Sequence, residues 1–548
     1  MFTTGSGVAR MALVAVRSSD GVRAARRPQS RTYPDGVGAG WRSVLVGITR
    51  PGRFSVWRRP VSGALTLPGS SGGMMSPTVR TPVAVPRQEW TTVEAPELGA
   101  WTPALTVTVV LPAKDCQDEL DLTLAALAAQ TYPAELLDVI VVDDASAEPL
   151  RLPAVHPERA RVLRLPPGDG HGSGRARHAG AEAATGDVVL FLDADIVATR
   201  THVEAHARWH HTVADAVVLG HKMFVDFDDI TAADVLQATR DDTFDRLLAG
   251  RKQQRHGWQE DFIKSADRLT RPVDDAFLAV VGASVSAPRA LYAESGGFST
   301  FGLRGIVDTE FGYRAYTAGA VLIPEPAARS YHQGARNFAI RGDEIKRERS
   351  GLAANYLPIP LFRPSDVGRM WQVPVVHAVV DATSGTPEEV QVTVDSVLAA
   401  EYTDLVVTVS PSKALPRWVE DYFAADARVR FAPEPVRTGF PAPFSLIVPA
   451  GVAIGRSAVG TMLALTASEQ VGLVRATVSD EPGPPVELWA TRALHRARRH
   501  AGSDGLDETA RRLFGVHWLS GAEIGVRPAV VGVTRQGMLF DESAAAAR

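Results

Sequence analysis

Leu105-Thr-Val-Thr-Val-Val-Leu111, closed by Pro112, is a β-branched run with no polar face, the composition of a strand buried on both sides of a parallel sheet. Downstream, Leu120, Leu124 and Leu127 recur at helical spacing with alanines filling the same face, and Tyr132-Pro133 stops the segment. Val139-Ile-Val-Val142 then runs into Asp143-Asp144. Strand, helix and strand in this order form a βαβ unit, whose crossover sets both strands parallel and brings their carboxyl ends to one edge. Ligands of open α/β sheets bind along that edge.

The theme repeats. Arg161-Val-Leu-Arg-Leu165 reads as a strand, 176–184 as a helix, and Asp187-Val-Val-Leu-Phe-Leu192 as a strand running into Asp193-Ala-Asp195, so acids end two separate strands. Residues 229–272 read as a largely helical, amphipathic insertion, and 277–281 as a strand-like run before Gly282-Ala-Ser284. Further on, 373–380, 390–398 and 401–409 reproduce the order strand, helix, Tyr-containing turn, strand, and Leu446-Ile-Val-Pro-Ala-Gly-Val452 takes the place of Leu190-Phe-Leu-Asp-Ala-Asp-Ile196. There Pro449 and Gly451 stand where two carboxylates stood, and Ser410-Pro411 stand near where Asp143-Asp144 stood. A copy without its acids cannot hold a divalent cation in the same way. The expected organisation is a lead-in over 1–100, a catalytic α/β domain over 101–340, a linker over 341–369, a smaller degenerate α/β domain over 370–500 serving packing, dimerisation or acceptor binding, and a tail over 501–548.

A chain of 548 residues exceeds one ordinary core. With 45% hydrophobic and 22% charged residues it has the balance of a folded protein, and a net charge of -4 gives no general pull toward nucleic acid or anionic lipid. Cys116 is the single cysteine, which excludes an intrachain disulfide and a multi-cysteine zinc site and fits a reducing, cytoplasmic compartment. The longest apolar-looking run, 444–466, contains Arg456 and falls short of the roughly 20 apolar residues of a membrane span; peripheral contact at the inner membrane face stays compatible with that. Residues 1–74 hold eleven Arg, no Lys and two acids without a sustained period. They read as disordered, or as a mis-set start with the working protein beginning near Met75.

Asp193 and Asp195 emerge together at a sheet edge, where two carboxylates repel unless a cation or protons intervene. Mg²⁺ or Mn²⁺ would satisfy them, with diphosphate oxygens and water completing the shell. Taken alone, an Asp-x-Asp triplet is a weak signal that arises often by chance and is more often a solvated turn. Asp143-Asp144 could accept from a uracil imide and ribose hydroxyls, or cap an Asx turn. Arg177 could pair with base or phosphates, or be merely a solvated helix arginine. His202, His206 and His210, four apart beside Arg208 and Trp209, could line a metal face but read better as a helix surface, since no His-Glu-x-x-His pattern is present. The glycine-rich 168–174 lacks Gly-Lys-Ser/Thr, and no G-x-G-x-x-G follows the first strand, so kinase and dehydrogenase readings fail.

Leu111-Pro-Ala-Lys-Asp115, Gln130-Thr-Tyr-Pro133, Val141-Val-Asp-Asp-Ala-Ser146, Ala176-Arg-His-Ala-Gly180, Gly186-Asp-Val-Val-Leu-Phe-Leu-Asp-Ala-Asp195, Gly296-Gly-Phe298 and Asp308-Thr-Glu-Phe-Gly-Tyr-Arg314 occur in the order seen in family 2 glycosyltransferases with the GT-A fold. The resemblance covers about 105–335. It implies an α/β nucleotide-diphospho-sugar transferase, a mostly parallel sheet with helices on both faces, and inversion at the anomeric carbon. It puts Pro112, Ala113, Asp115, Asp143, Asp144, Arg177 and Asp193 at the donor, Asp195 and His332 on a divalent cation, and Asp308 as catalytic base. Two positions depart from the family pattern: Val307 precedes Asp308 where a Glu is usual, and His178 replaces a common Asn.

The partners so implied are a nucleotide-diphosphate sugar donor and a glycan, lipid-linked or small-molecule acceptor, as in cell-surface polysaccharide synthesis, with a homodimer compatible and no nucleic acid. Two other classes compete. A catalytically inactive nucleotide-sugar or glycan-binding subunit would not need Asp144, Asp195 and Asp308 together, and a nucleotidyltransferase would carry a glycine- and arginine-rich loop where Pro112-Ala-Lys-Asp-Cys116 stands.

Overall fold

β1 (Val107–Ala113) places every residue but Pro112 out of solvent, as an interior strand requires. It pairs in parallel with β2 (Leu137–Asp143) along its whole length but with β4 (Val188–Leu192) only from Val107 to Val110. Pro112, which has no N–H to give a ladder, falls where the β4 ladder has already ended. Alternate residues of β1 feed two cores: Val107, Val109 and Leu111 pack with α1 (Gln117–Leu127), whereas Val110 packs with α2 (Ser173–Glu182). Helices therefore cover both faces. The protein is seen here as a computed structural model whose described residues are 81–531 without 169–172, 272–273, 302–305, 335–337 and 365–367, all in the compact unit Met75–Arg548. The readings of 1–74, of most of the glycine-rich run 168–174 and of the end of the 501–548 tail lie outside the described residues.

Next in the first half come β3 (Ala160–Arg164), β5 (Ile196–Ala198), α3 (His202–His210), β6 (Ala216–Val225), α4 (Ala232–Asp241), α5 (Phe244–Leu247), β7 (Gln253–Arg255), α6 (Gly257–Ser265), β8 (Ser284–Pro288), α7 (Arg289–Glu294), α8 (Val307–Thr317) and β9 (Val321–Gln333). Sheet order is β3-β2-β1-β4-β8-β6-β9-β5, with β7 on β6. The expected parallel sheet is the β3-β2-β1-β4 part; β8 then runs antiparallel to both β4 and β6, while β9 runs parallel to β6. The α/β class with helices on both faces is as expected.

Two expectations are corrected. Residues 277–281 are no strand: 276–279 form a 3-10 turn and the strand starts at Ser284, because an apolar run alone cannot distinguish a buried turn from a strand. Segment 229–272 is largely helical, through α4, α5 and α6, with the short β7 pairing to β6 inside it. His202, His206 and His210 are not on a surface. They are buried, and a ladder of hydrogen bonds links His202 Nε2 to Ser284 Oγ (3.1 Å), Ser284 Oγ to His206 Nε2 (3.0 Å), His206 Nδ1 to Ser286 Oγ (2.9 Å) and Ser286 Oγ to His210 Nε2 (2.7 Å). Burial depresses all three, His202 to about 4 and His210 to about 3, so they are neutral structural groups.

The second half continues with α9 (Phe338–Tyr356), β10 (Val376–Asp381), α10 (Pro387–Leu398), β11 (Leu405–Ser410), α11 (Arg417–Phe423), β12 (Val429–Phe431), β13 (Phe444–Pro449), β14 (Val452–Ala453), α12 (Ala458–Ser468), β15 (Leu473–Thr477), β16 (Val486–Ala490), α13 (Thr491–Arg499), α14 (Gly505–Phe514), β17 (Val516–Ser520) and β18 (Arg527–Pro528). Its sheet, β12-β11-β10-β13-β16-β15-β17, matches β3-β2-β1-β4-β8-β6-β9 strand for strand in chain order and direction. The sheet runs past residue 500, where the sequence reading ended the domain: β17 is its edge.

Helix α13 joins the halves. Asp215, 1% exposed, takes Arg499, His500 Nε2 (2.7 Å) and Arg496 Nε (3.4 Å), while Glu294 takes His495 (2.6 Å) and Arg499 (2.7 Å). Burial would raise the Asp215 acid, and these cations hold it below the usual carboxylate range. Arg492 lies over the Tyr316 ring of α8 at 4.8 Å. Among the described residues, no helix is long and apolar enough to cross a membrane.

Candidate active site

The carboxyl ends of β1, β2 and β4 lie side by side, and the backbone stitches them together. Asp144 N donates to Ala113 O (2.9 Å), Lys114 Nζ to Asp144 O (3.0 Å), and Asp115, at φ +50°, donates its N–H to Ser146 Oγ (2.9 Å) while accepting from Ala147 N (2.7 Å). Pro112, Ala113, Asp115 and Asp144 thus share one rim. Asp143 does not face it. Its buried carboxylate accepts from Ser146 N (2.8 Å), Leu150 N (3.2 Å) and Arg164 Nη1 (2.6 Å). Burial would raise that acid, but these donors hold it below its ordinary range. This expected donor residue is the Asx cap that shapes the loop. Asp144 is paired instead with Arg175 at 3.3 Å, a residue the sequence reading passed over although it sits one turn-edge from Arg177.

Arg177 is not a solvated helix arginine. It is 2% exposed, and its guanidinium spans Asp193 (Nη2–Oδ1 2.5 Å) and Asp308 (Nη1–Oδ1 2.9 Å), with Ser173 Oγ at 2.6 Å. Burial alone would lower its pKa; the two carboxylates outweigh that and raise it, so it stays cationic. Arg177 also lies over the Phe298 ring at 5.3 Å. Gly282 makes the bridge sterically possible, since a Cβ there would come within 2.6 Å of both the Arg177 guanidinium and Asp308 Oδ1. The sequence showed Gly282 only as a small residue; nothing local marked its partner.

The Asp193-Ala-Asp195 turn is pinned from three elements: Asp193 N donates to Ala283 O (3.2 Å), Thr123 Oγ1 of α1 to Ala194 O (2.8 Å), and Gln333 N of β9 to Asp195 O (2.9 Å). β9 thereby delivers His332, whose Nε2 lies 3.4 Å from Asp195 Oδ2. His332 Nδ1 meets the carbonyl of Gln333 at 2.9 Å. A carbonyl only accepts, so in the neutral ring Nδ1 carries the hydrogen and Nε2 presents its lone pair toward Asp195. Asp195 Oδ1 is shut off from solvent without a hydrogen-bond partner. Burial pushes the Asp195 acid up to about 6, against the pull of His332 and with the push of Asp193. An orphaned carboxylate oxygen beside an imidazole lone pair fits a divalent cation. Among the described residues no three His, Cys, Asp or Glu side chains group together to hold an ion, so a cation held by this pair would need further ligands from outside the protein.

The last two motifs support α8. Glu310 and Arg314 pair at 2.5 Å, Arg314 also bonds the carbonyls of Ser295 and Gly297, and Glu310 takes Ser299 Oγ (2.5 Å). Gly296 and Gly297 have φ of +78° and +65°, which glycine adopts without strain, and Phe298 stacks on Phe311 at 4.4 Å. This cluster fixes the first turn of α8, hence Asp308. Val307, in place of the usual acid, is buried in the core, and His178 meets Tyr292 Oη at 3.3 Å.

The Glycosyl transferase family 2 profile matches residues 108–267. The validoxylamine A glucosyltransferase of Streptomyces hygroscopicus subsp. limoneus is 33% identical over 129 residues, 23% of this chain and 28% of that protein. The chondroitin synthase of Pasteurella multocida strain Pm70 is 24% identical over 353 residues, 60% of this chain and 36% of that protein. The chain thus spans about a third of the length of these curated relatives. Among solved structures, a mannosyltransferase from Pyrobaculum calidifontis in complex with GDP-Man and Mn²⁺ aligns at 17% identity and a TM-score of 0.31, over 49% of this chain and 66% of that one. The chain thus carries, over residues 108–267, a segment that matches glycosyltransferase family 2, with Asp144, Arg177, Asp193 and Asp195 within it.

Proposed function

We propose that the protein is an inverting, metal-dependent glycosyltransferase that moves a sugar from a nucleotide-diphosphate donor to an acceptor hydroxyl. The observation that carries this is the Arg177 bridge between Asp193 and Asp308, which ties the rim of the nucleotide edge to the carboxylate placed for proton transfer. The rim formed by Pro112, Ala113, Asp115 and Asp144 would take base and ribose; Asp193 would face ribose or donor sugar. Asp195 and His332 would hold the cation, which supplies Lewis-acid stabilisation of the charge on a leaving diphosphate.

An acceptor hydroxyl is too weak an acid to ionise at neutral pH, so a carboxylate must take its proton as the new bond forms. Asp308 has one oxygen anchored on Arg177 and the other left to accept. The acceptor oxygen bonds the anomeric carbon, the bond from that carbon to the diphosphate oxygen breaks with its electron pair, and the proton ends on Asp308. One displacement inverts the anomeric centre. The second half, lacking the acids of the first at Ser410, Pro449 and Gly451, is a degenerate copy that buttresses α8. The test is to incubate the chain with UDP- and GDP-sugars, Mn²⁺ and glycan acceptors. Transfer with inverted anomeric configuration by NMR is expected; a product of retained configuration would overturn the mechanism, and pyrophosphate exchange the reaction class.

A further inference from the structure

Segment 229–272 exposes one large aromatic ring, Trp258, 36% exposed in the first turn of α6. Its position is fixed from two sides. On one, the ring of His256 packs edge-on against Trp258 at 5.2 Å and against Phe224 at 5.7 Å, and Phe224 lies 4.9 Å from His332. On the other, Gln259 accepts from His256 Nδ1 (2.7 Å) and donates to Ala279 O (2.7 Å), three residues before Gly282, where an added Cβ would meet Arg177 and Asp308. Trp258 is thereby tied, through His256 and Phe224, to the strand that bears His332 and, through Gln259 of the same helix, to the segment that leads to Gly282.

We propose that Trp258 is the acceptor platform: it stacks on a pyranose ring of a glycan acceptor whose hydroxyl reaches Asp308. This rests on the glycosyl-transfer reading of the site. A pyranose has an apolar C–H face and a polar rim, and an exposed indole buries such a face without demanding a particular hydroxyl pattern. The ring's base is already immobile through the buried His256 and Gln259, so little side-chain entropy is lost on binding. Charged residues flank it in sequence, which favours a polar-rimmed sugar over an acyl chain as occupant. Arg255 pairs with Glu260 (3.2 Å) and Asp261 (2.9 Å), and His221 with Glu260 (3.3 Å), and among the described residues Trp258 is the one large exposed apolar side chain of this segment.

The experiment uses the full chain, Trp258→Ala and Trp258→Phe, titrated with pentasaccharides of glucose, mannose and N-acetylglucosamine by saturation-transfer NMR, and with UDP and GDP in parallel. At least one pentasaccharide should bind the wild type; Trp258→Ala should weaken it about tenfold or more, Trp258→Phe far less, and nucleotide affinity should hold in both. Absence of any pentasaccharide binding to the wild type, an unaffected Trp258→Ala, equal losses in both variants, or loss of nucleotide affinity alongside would each overturn the proposal. If the pentasaccharide pattern appears but no nucleotide sugar is turned over, it is the glycosyl-transfer reading that fails and the platform that stands.

Discussion

The two halves share seven strands in the same order and directions, yet they have spent those strand ends differently. In the first, the edge gathers Asp144, Asp193 and Asp195; in the second, the corresponding ends carry Ser410-Pro411, Pro449 and Gly451. The helix before the last parallel strand carries an acid in its first turn in both, Asp308 on α8 and Asp507 on α14. Asp308 gives one oxygen to Arg177, whereas Asp507 gives both of its oxygens to Arg475, at 2.8 and 2.7 Å. A shared backbone does not make a shared site; what an acid can do depends on whether its lone pairs are already taken.

That contrast can be broken by mutation. Asp308→Asn should slow transfer by roughly 10²–10⁴-fold while nucleotide affinity holds, and Asp507→Asn, at a half-exposed pair, should leave turnover near wild type and cost no more than about 1 kcal/mol. Steady-state kinetics on the two variants decide it, and similar losses would erase the distinction between the halves. A second test concerns their coupling. Asp215→Ala strips the buried Arg496 of its carboxylate and should lower stability by about 3–5 kcal/mol, read from the urea midpoint; a change below about 1 kcal/mol would mean that the clamp is immaterial.

Smaller effects sharpen the comparison. His332→Ala should weaken Mn²⁺ binding by roughly 10–100-fold in a direct titration, and any tight Mn²⁺ site that survives the change would point to the second half. The helices after β5 and β14 differ as well: α3 buries His202, His206 and His210, whereas α12 buries Val459 and Met462 at its sheet. The histidines are held neutral in the fold, below their ordinary value near 6.5. As pH falls through about 6.5 the unfolded chain binds protons that the folded one refuses. Stability should therefore drop with acid from about pH 6.5 to 4, by up to about 1.4 kcal/mol per unit for each histidine. A melting temperature flat over that range, or a drop unchanged in the triple variant His202→Gln, His206→Gln, His210→Gln, would remove this role.

Much of the first half was legible before any coordinates. The runs at 105–111, 139–142 and 187–192 are strands because β-branched residues without a polar face have few other places to go, and their acids lie at the rim since strand ends share an edge in a parallel sheet. What was misread follows one pattern. Asp143 and Asp144 look alike in sequence, but the first is consumed by Ser146, Leu150 and Arg164. Arg177 stood out only as a partner for base or phosphates, or as a solvated helix arginine, until α8 brought Asp308 to it, 131 residues away. The three histidines seemed exposed beside Arg208 and Trp209, although Trp209 is itself buried, its Nε1 on Glu325 at 2.5 Å.

From its residues alone this chain set its backbone elements, the acids at two strand ends and the loss of those acids in the second half, because hydrophobic period and residue type act within a few positions of each other. Tertiary structure decided the pairings: which carboxylate faces Arg177, which histidines are sealed, and how closely the two sheets correspond beyond their first four strands. Those outcomes depend on side chains packed from distant segments, where burial and the last free lone pair are settled only once the cores have closed.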